Sequence, residues 1–280
     1  MVPQGPLVKA RKRQIDMATN AICDSHVHCE YSYDGHDTVT DNCRHAVEHG
    51  LTVLTLTDHC DMRSHRHGYT SYFPSAERRW NEIEAAKKAF PELTLLNGVE
   101  MGDVSNDFDL AQAHLEQYDY DFVLGSVHHI RDDKKKRFDD MCTDDLLSAY
   151  FDEMDALVAF GNFDSLAHLD YPAKLWNVPD SAFIRFEERI DAILKRIIEK
   201  DIAIEINSSG LFHAVGKAGP QLWVLEHYKA FGGTMITLGS DSHRASDIGR
   251  GLDKARELAR AAGFDHVVYF EKRKPVDAWI

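Results

Sequence analysis

A single α/β barrel is the fold this sequence predicts, and three observations predict it. Short β-branched apolar runs alternate with stretches of helical period from about residue 21 to the end. No Pro/Gly/Ser-rich linker interrupts them, which reads as one domain. Nearly every apolar run ends in a histidine or an acid. Seven or eight β/α units in 280 residues point to a closed parallel barrel of the (β/α)8 kind or a distorted relative, with a doubly wound open sheet as the competing arrangement.

In chain order, the strand-like runs are AICDSHVH (21–28), LTVLTLTDH (51–59), LTLLNGVE (93–100), DFVLGSVHH (121–129), FDSLAHLD (163–170), IAIEINSSG (202–210), TMITLGSDSH (234–243) and HVVYF (266–270). Each is short and apolar enough for a buried strand. Between them lie TDNCRHAVEHG, SAERRWNEIEAAKKAF, DLAQAHLEQY, TDDLLSAYFDEMDALVAF, SAFIRFEERIDAILKRIIEK, GPQLWVLEHYKAF and GLDKARELARAAG, all of helical composition. Ser75 and Thr143 read as helix starts, and Pro91 and Gly161 as stops. Residues 1–20 carry Lys9, Arg11, Lys12 and Arg13 with no apolar segment behind them. They are expected to be a disordered tail rather than a secretory signal, leaving residues 21–280 as the barrel.

Composition narrows the function. Forty-six acidic against 32 basic residues give a net charge of −14, which repels a phosphate backbone and excludes broad nucleic-acid binding. No run approaches the ~18 consecutive apolar residues of a membrane span. The five cysteines, Cys23, Cys29, Cys43, Cys60 and Cys142, form no CxxC pair, which predicts a reducing, cytoplasmic setting.

The surplus of carboxylates and 16 histidines suits divalent cations. In a parallel barrel the C-terminal strand ends converge on one mouth, so His26 and His28, Asp58 and His59, Glu100, His128 and His129, His168 and Asp170, and Asp241 and His243 become neighbours in space. A kink or a strand end is needed for both imidazoles of His26-x-His28 to face one cation. Asp34 lies in the loop EYSYDG, where it either reaches back to that site or serves an Asp-Gly turn. A carboxylate beside a histidine, as at Asp58-His59 and Asp241-x-His243, either binds metal or orients a ring. Glu100, after Gly98, is suited to bridging two cations. Ser208 and Ser209 do not sit in a Gly-x-Ser-x-Gly turn, so a serine nucleophile is disfavoured.

The ordered motifs DSHVHCEYSYDG, LTLTDHCD, GVEMG, DFVLGSVHHI, AHLDYPAK, EINSSGL and GSDSHRASDIG cover almost the whole chain after residue 20. In them the sequence resembles the PHP (polymerase and histidinol phosphatase) phosphoesterases, of the histidinol-phosphatase type. The resemblance implies a distorted (β/α)7 TIM-like barrel holding two to three divalent ions, zinc, manganese or iron. By the same resemblance His26, His28, Glu100 and Asp241 bind one cation. A second shares Glu100 and adds His128 and His168, and a third takes Asp34, His59 and His243. The implied reaction is hydrolysis of a small phosphate monoester, foremost L-histidinol phosphate, by a hydroxide shared between cations. Another small phosphate ester and a non-catalytic metal-stabilised module are the alternatives, and the second predicts an eroded ligand set.

Further roles are expectations at this stage. Asp58 is read as an orienter of His59 or a proton carrier, and His243 and Arg244 as catalytic-site residues. Arg244, Asn207, His129 and Lys174 are candidate substrate contacts, and Arg63 and Arg131 weaker ones. Asp103, Asp170 and Glu205 are candidate acidic partners for the substrate ammonium. The loop 60–74 is either a lid or a packed surface loop. The run 131–140 reads as a solvated excursion, and Cys29 and Cys60 read as small fillers.

Overall fold

The computed structural model describes residues 21–62, 72–129 and 141–280. The expected tail at 1–20, Arg63, Arg131, the run 131–140 and most of the expected lid lie outside the described residues.

Eight strands pair in parallel. They are β1 (Cys23–Val27), β2 (Val53–Leu56), β3 (His59–Asp61), β4 (Thr94–Gly102), β5 (Phe122–Ser126), β6 (Ser165–Leu166), β7 (Ala203–Asn207) and β8 (Ile236–Gly239). Their order is β1-β2-β4-β5-β6-β7-β8, with β3 also on β4. β2 pairs with the first half of β4 and β3 with its second half, so the two form one interrupted stave of seven. The circle nearly closes where Asp241 N–H donates to the His26 carbonyl and His28 N–H to the Ser242 carbonyl, both at 2.8 Å. The distorted seven-stave barrel expected from the sequence is therefore the observed one, and the open sheet is not.

Local chemistry explains most element boundaries. Thr38 caps α1 (Val39–Glu48) through the Asp41 N–H, and Asp107 caps α3 (Phe108–Gln117) through the Leu110 N–H. Helix α2 (Tyr72–Ala89) starts three residues before Ser75, the expected start, because Pro74 falls in the first turn, where a missing N–H costs nothing. Helix α4 (Thr143–Phe160) takes Thr143 as its first residue rather than its cap and ends on Gly161 at φ +69°.

After the short α5 (Tyr171–Trp176), the stretch expected as one helix over 181–200 is two, α6 (Asp180–Ile184) and α7 (Glu187–Glu199). The chain turns at Phe186, whose ring packs 5.6 Å from that of Phe151. In α7 the buried positions Ile190, Ile193, Leu194 and Ile197 fall at helical spacing and face the barrel wall.

The run at 266–270 departs from expectation. It forms β9 (His266–Glu271), which pairs antiparallel with β10 (Lys274–Trp279) in a separate hairpin instead of a barrel stave. KPVDAW carries a proline and two charges, Lys274 and Asp277, within six residues, which hides a strand from an apolar-run reading. The hairpin sends Val268 and Phe270 into a cluster with Phe122, Leu124, Ala167, Ala203 and Met235, closing the barrel at the end from which the strands start. The rings of Phe122 and Phe270 stack at 5.4 Å.

Phe270→Ala is expected to lower unfolding free energy by about 3–5 kcal/mol, as for other large-to-small changes of a buried ring. Denaturant unfolding measures this, and a change within error of zero would show that the hairpin is not part of the core.

Candidate metal centre

The site sits where the strands end. β1 carries a register irregularity between Asp24 and Val27, which re-aims His26, while His28 follows just past the strand. Their Nε2 atoms come within 3.1 Å of each other. Glu100 Oε2 lies 3.5 Å from His26 Nε2 and 3.6 Å from His28 Nε2, and Asp241 Oδ1 lies 3.5 and 3.4 Å from the same two atoms. Four donors each about 2.1 Å from one ion at tetrahedral angles would stand about 3.4 Å apart. Five of the six separations among these four lie near that spacing, between 3.1 and 3.6 Å.

The other oxygen of Glu100 serves a second set. Oε1 is 3.2 Å from His128 Nε2 and 3.1 Å from His168 Nε2. In a third set, Asp34 lies 3.5 Å from His59 Nε2 and 3.3 Å from His243 Nε2, and the two imidazole nitrogens are 3.5 Å apart. All nine side chains thus fall into three groups that touch through Glu100. His59 Nδ1 approaches Glu100 Oε2 to 2.7 Å without hydrogen-bond geometry, and both atoms are buried with no other hydrogen-bond partner. Buried polar atoms left unsatisfied at the focus of a donor cluster fit cations.

The electrostatics fit as well. Burial alone would raise the Glu100 carboxyl, but His128, His26 and His59 hold it well below the usual range. Burial likewise opposes charge on His59, yet Glu100 and Asp34 outweigh it and lift this imidazole to about 10. His28 goes the other way, pushed down to about 3 by burial and by the neighbouring His243 and His59. Asp241 is held low despite burial, chiefly by Lys174 and His26.

The backbone is strained at the same place. Asp103, His168 and Asp241 all have positive φ, of 53°, 20° and 54°.

The rings of His26, His128 and His243 are held from behind, and His168 is held through its backbone. Glu205 Oε1 accepts from His26 Nδ1 at 2.6 Å, and its Oε2 accepts the His168 N–H at 2.9 Å. Asp61 Oδ1 lies 3.1 Å from His128 Nδ1. His243 Nδ1 lies 3.0 Å from the Asp241 carbonyl oxygen. Gly239 leaves room for this packing, since a Cβ there would stand 2.3 Å from Glu205 Oε1 and 2.4 Å from His26 Cβ.

Several expectations change on this geometry. Asp58 is fully buried, paired with Arg79 and bonded to Cys29 and Ser32. It neither orients the His59 ring nor reaches the mouth as a proton carrier. Glu205 and Asp103 are no partners for a substrate ammonium. Glu205 holds His26, and Asp103 accepts the backbone N–H groups of His128 and His129 and pairs with His129 Nδ1. Asn207 Nδ2 is spent between Glu205 and Asp241, at 3.2 and 3.4 Å.

Lys174 is at the centre, paired with Asp241 Oδ2. Arg244 is exposed beside His243. The Asp170 carboxylate lies against the Gly219 backbone, and burial lifts it to about 6. Two aromatic rings missed in the sequence flank the centre. Tyr33 stacks on His59 at 4.9 Å, and Tyr171 lies 4.9 Å from His168 and 5.2 Å from His128.

Against known proteins, residues 24–209 match the PHP domain. This chain belongs to the PHP domain family. Among family members, the histidinol-phosphatase of Lactococcus lactis subsp. lactis (strain IL1403) is 29% identical over 263 residues, 90% of this chain and 95% of that protein. A probable histidinol-phosphatase of Thermotoga maritima is 26% identical over 255 residues, 89% and 96% of the two chains. The crystal structure of histidinol phosphate phosphatase from Lactococcus lactis, complexed with zinc, L-histidinol and phosphate, superposes with a TM-score of 0.76 at 25% identity, covering 92% of this PHP chain and 99% of that one.

Two outcomes are expected of the centre. Glu205→Gln should weaken metal binding by about 10–100-fold while the protein stays folded, because His26 loses its carboxylate support; equilibrium metal titration measures this, and unchanged affinity would contradict the role. Because His59 keeps its proton up to about 10 in the metal-free protein, cation uptake must release a proton. Affinity should therefore rise with pH as long as pH stays below about 10. Calorimetry in buffers of different ionisation enthalpy reads the proton, and a pH-independent affinity would refute the assignment.

Proposed function

We propose that this protein is a metal-dependent histidinol-phosphatase, hydrolysing L-histidinol phosphate to L-histidinol and phosphate in histidine biosynthesis. The observation that carries this reading is a complete donor set in a chain that matches proteins of that name over nearly its full length. A non-catalytic module would have lost ligands, and all nine positions hold competent ones.

Three donor sets support three ions, and six imidazoles among nine donors favour zinc, manganese or iron over magnesium. Cations bound there supply Lewis acidity, which lowers the pKa of water and takes up charge on the phosphoryl oxygens and the leaving alkoxide. The chain's own residues do the rest. Glu100 ties the three sets into one unit, and Glu205 and Asp61 keep the rings of His26 and His128 aimed inward. Arg244, exposed beside His243, would meet the phosphoryl group with a planar fork of donors. Lys174 sits within reach of the same region through its contact with Asp241. The faces of Tyr33 and Tyr171 offer flat apolar surface to an imidazole. Asp170, held apart from the donor sets, is the carboxylate left to meet the ammonium.

Four of the five cysteines are buried and all are unpaired, which supports a reducing cytoplasmic setting. Among the described residues no helix is long and apolar enough to cross a membrane.

A phosphatase panel ranked by kcat/KM tests the substrate, with histidinol phosphate expected first. A higher value for a nucleotide or sugar phosphate would transfer the assignment to that ester. Exhaustive chelation should abolish turnover and Mn²⁺ or Zn²⁺ should restore it. Glu100→Gln should reduce kcat/KM by about 100-fold or more with the fold retained, and near-normal turnover would remove the bridging role.

A further inference from the structure

The barrel wall is interrupted once inside the mouth. β2 ends at Leu56 and β3 begins at His59, and between them, among the described residues, only the backbone bonds from the Thr57 N–H to the Val27 carbonyl and from the Glu100 N–H to the Asp58 carbonyl tie the chain to its neighbouring strands. A guanidinium fills the gap. Arg79 of α2 is 1% exposed, and it donates from Nη2 to the carbonyls of Leu56 (2.8 Å) and Gly98 (3.0 Å), from Nη1 to Asn97 Oδ1 (2.5 Å) and from Nε to Asp58 Oδ2 (2.5 Å). An arginine so buried persists only where its donors are met.

Following the donors outward from Asp58 fixes a direction. Its other oxygen accepts the Cys29 N–H at 2.7 Å and the Ser32 hydroxyl at 2.8 Å. A carboxylate facing a guanidinium has only lone pairs to offer, so the single hydroxyl proton of Ser32 is committed to it. Ser32 Oγ can then only accept from its remaining neighbours. Those are the His59 N–H at 3.1 Å and Nδ1 of His28 at 3.0 Å. His28 Nδ1 must carry the ring proton, and the ring's lone pair lies on Nε2, which faces His26, Glu100 and Asp241.

From this chain of directed bonds we propose that Arg79 is a positioning residue of the metal centre, acting through Asp58 and Ser32 to lock the tautomer and ring plane of His28 with Nε2 presented to a cation. The same guanidinium grips the Gly98 carbonyl two residues before Glu100, so one buried cation sets two ligands of the first donor set. The inference rests on the metal reading of the site but not on the identity of the substrate. His26 and His128 are backed directly by carboxylates, whereas His28 is backed by a hydroxyl whose orientation Arg79 dictates from one link further away.

The test is Co²⁺ titration of the metal-stripped full chain, followed by visible absorption. Ser32→Ala should bind Co²⁺ about 10–100-fold more weakly with an altered spectrum, and Ser32→Thr, which keeps the hydroxyl, should return both toward wild type. Arg79→Lys keeps a charge but cannot serve four acceptors, so it should show at least the same weakening. Combined with Ser32→Ala it should lose no more than Arg79→Lys alone, because the Ser32 path is one of the two that Arg79 serves. Should Arg79→Lys not fold, Asp58→Asn cuts the path one link on and is read in the same way. Wild-type affinity in Ser32→Ala, or losses that add in the double variant, would overturn the proposal while leaving the metal reading intact. Failure of the wild-type chain to bind Co²⁺ would overturn the metal reading itself, and this proposal with it.

Discussion

The carboxylate of Glu100 is the group around which the rest is arranged. It has no exposure to water, and an ionised carboxylate in that position is tolerated only if opposite charge and directed donors surround it. Four imidazoles, from His26, His28, His128 and His168, place a nitrogen between 3.1 and 3.6 Å of one or other of its oxygens. Its own strand makes the placement possible. Gly98 lets β4 pass close to the side chains of Thr55 and Thr57, and the β3–β4 register sets His59 directly beside Glu100. Yet Glu100 Oε2 and the facing His59 Nδ1 are buried and hold no hydrogen bond. The cluster is therefore organised for cations rather than for its own hydrogen bonding.

Such an arrangement costs stability, and the cost is visible in the backbone. Asp103, His168 and Asp241 occupy a region that L-residues avoid, each at about 1–3 kcal/mol. Surrounding bonds over-determine them. Asp103 is pinned by two backbone N–H groups, His168 by the Glu205 carboxylate and Asp241 by the carbonyl that closes the barrel. The apolar hairpin at the far end and the helix cores supply the stability that the mouth consumes, so the two ends of the barrel have opposite roles.

The barrel and the donor positions were legible in the sequence because both leave periodic marks. Strand ends recur with a histidine or acid after nearly every apolar run, and the ordered motifs carry those positions to one mouth. What stayed hidden had no such mark, or a weak one. The hairpin strand KPVDAW reads as polar because one of its faces meets solvent. Asp61 was overlooked although it stands two residues from His59 on a strand, which puts both side chains on one face. Arg79 left a subtler sign. Ala76, Arg79, Ile83 and Ala86 are the buried stripe of α2, so a charged residue occupies a core position of an amphipathic helix. Asp58 and Glu205 turn to Arg79 and His26, which adjacency along the chain does not reveal, because the direction of a carboxylate depends on neighbours about 20 and 180 residues away.

The donor sets also differ from one another in a consistent order. The first two are buried, share Glu100 and include rings backed by carboxylates. The third is more open, with Asp34 42% and His243 28% exposed, and its His243 is backed by a carbonyl oxygen, which is neutral. Carboxylate backing raises the basicity of a ligating imidazole and a neutral backing does so less. Burial strengthens attraction to a cation by removing competing water, and exposure weakens it. Exposure therefore separates the third group, whose Asp34 and His243 stand nearest the solvent, from the two gathered on the buried Glu100.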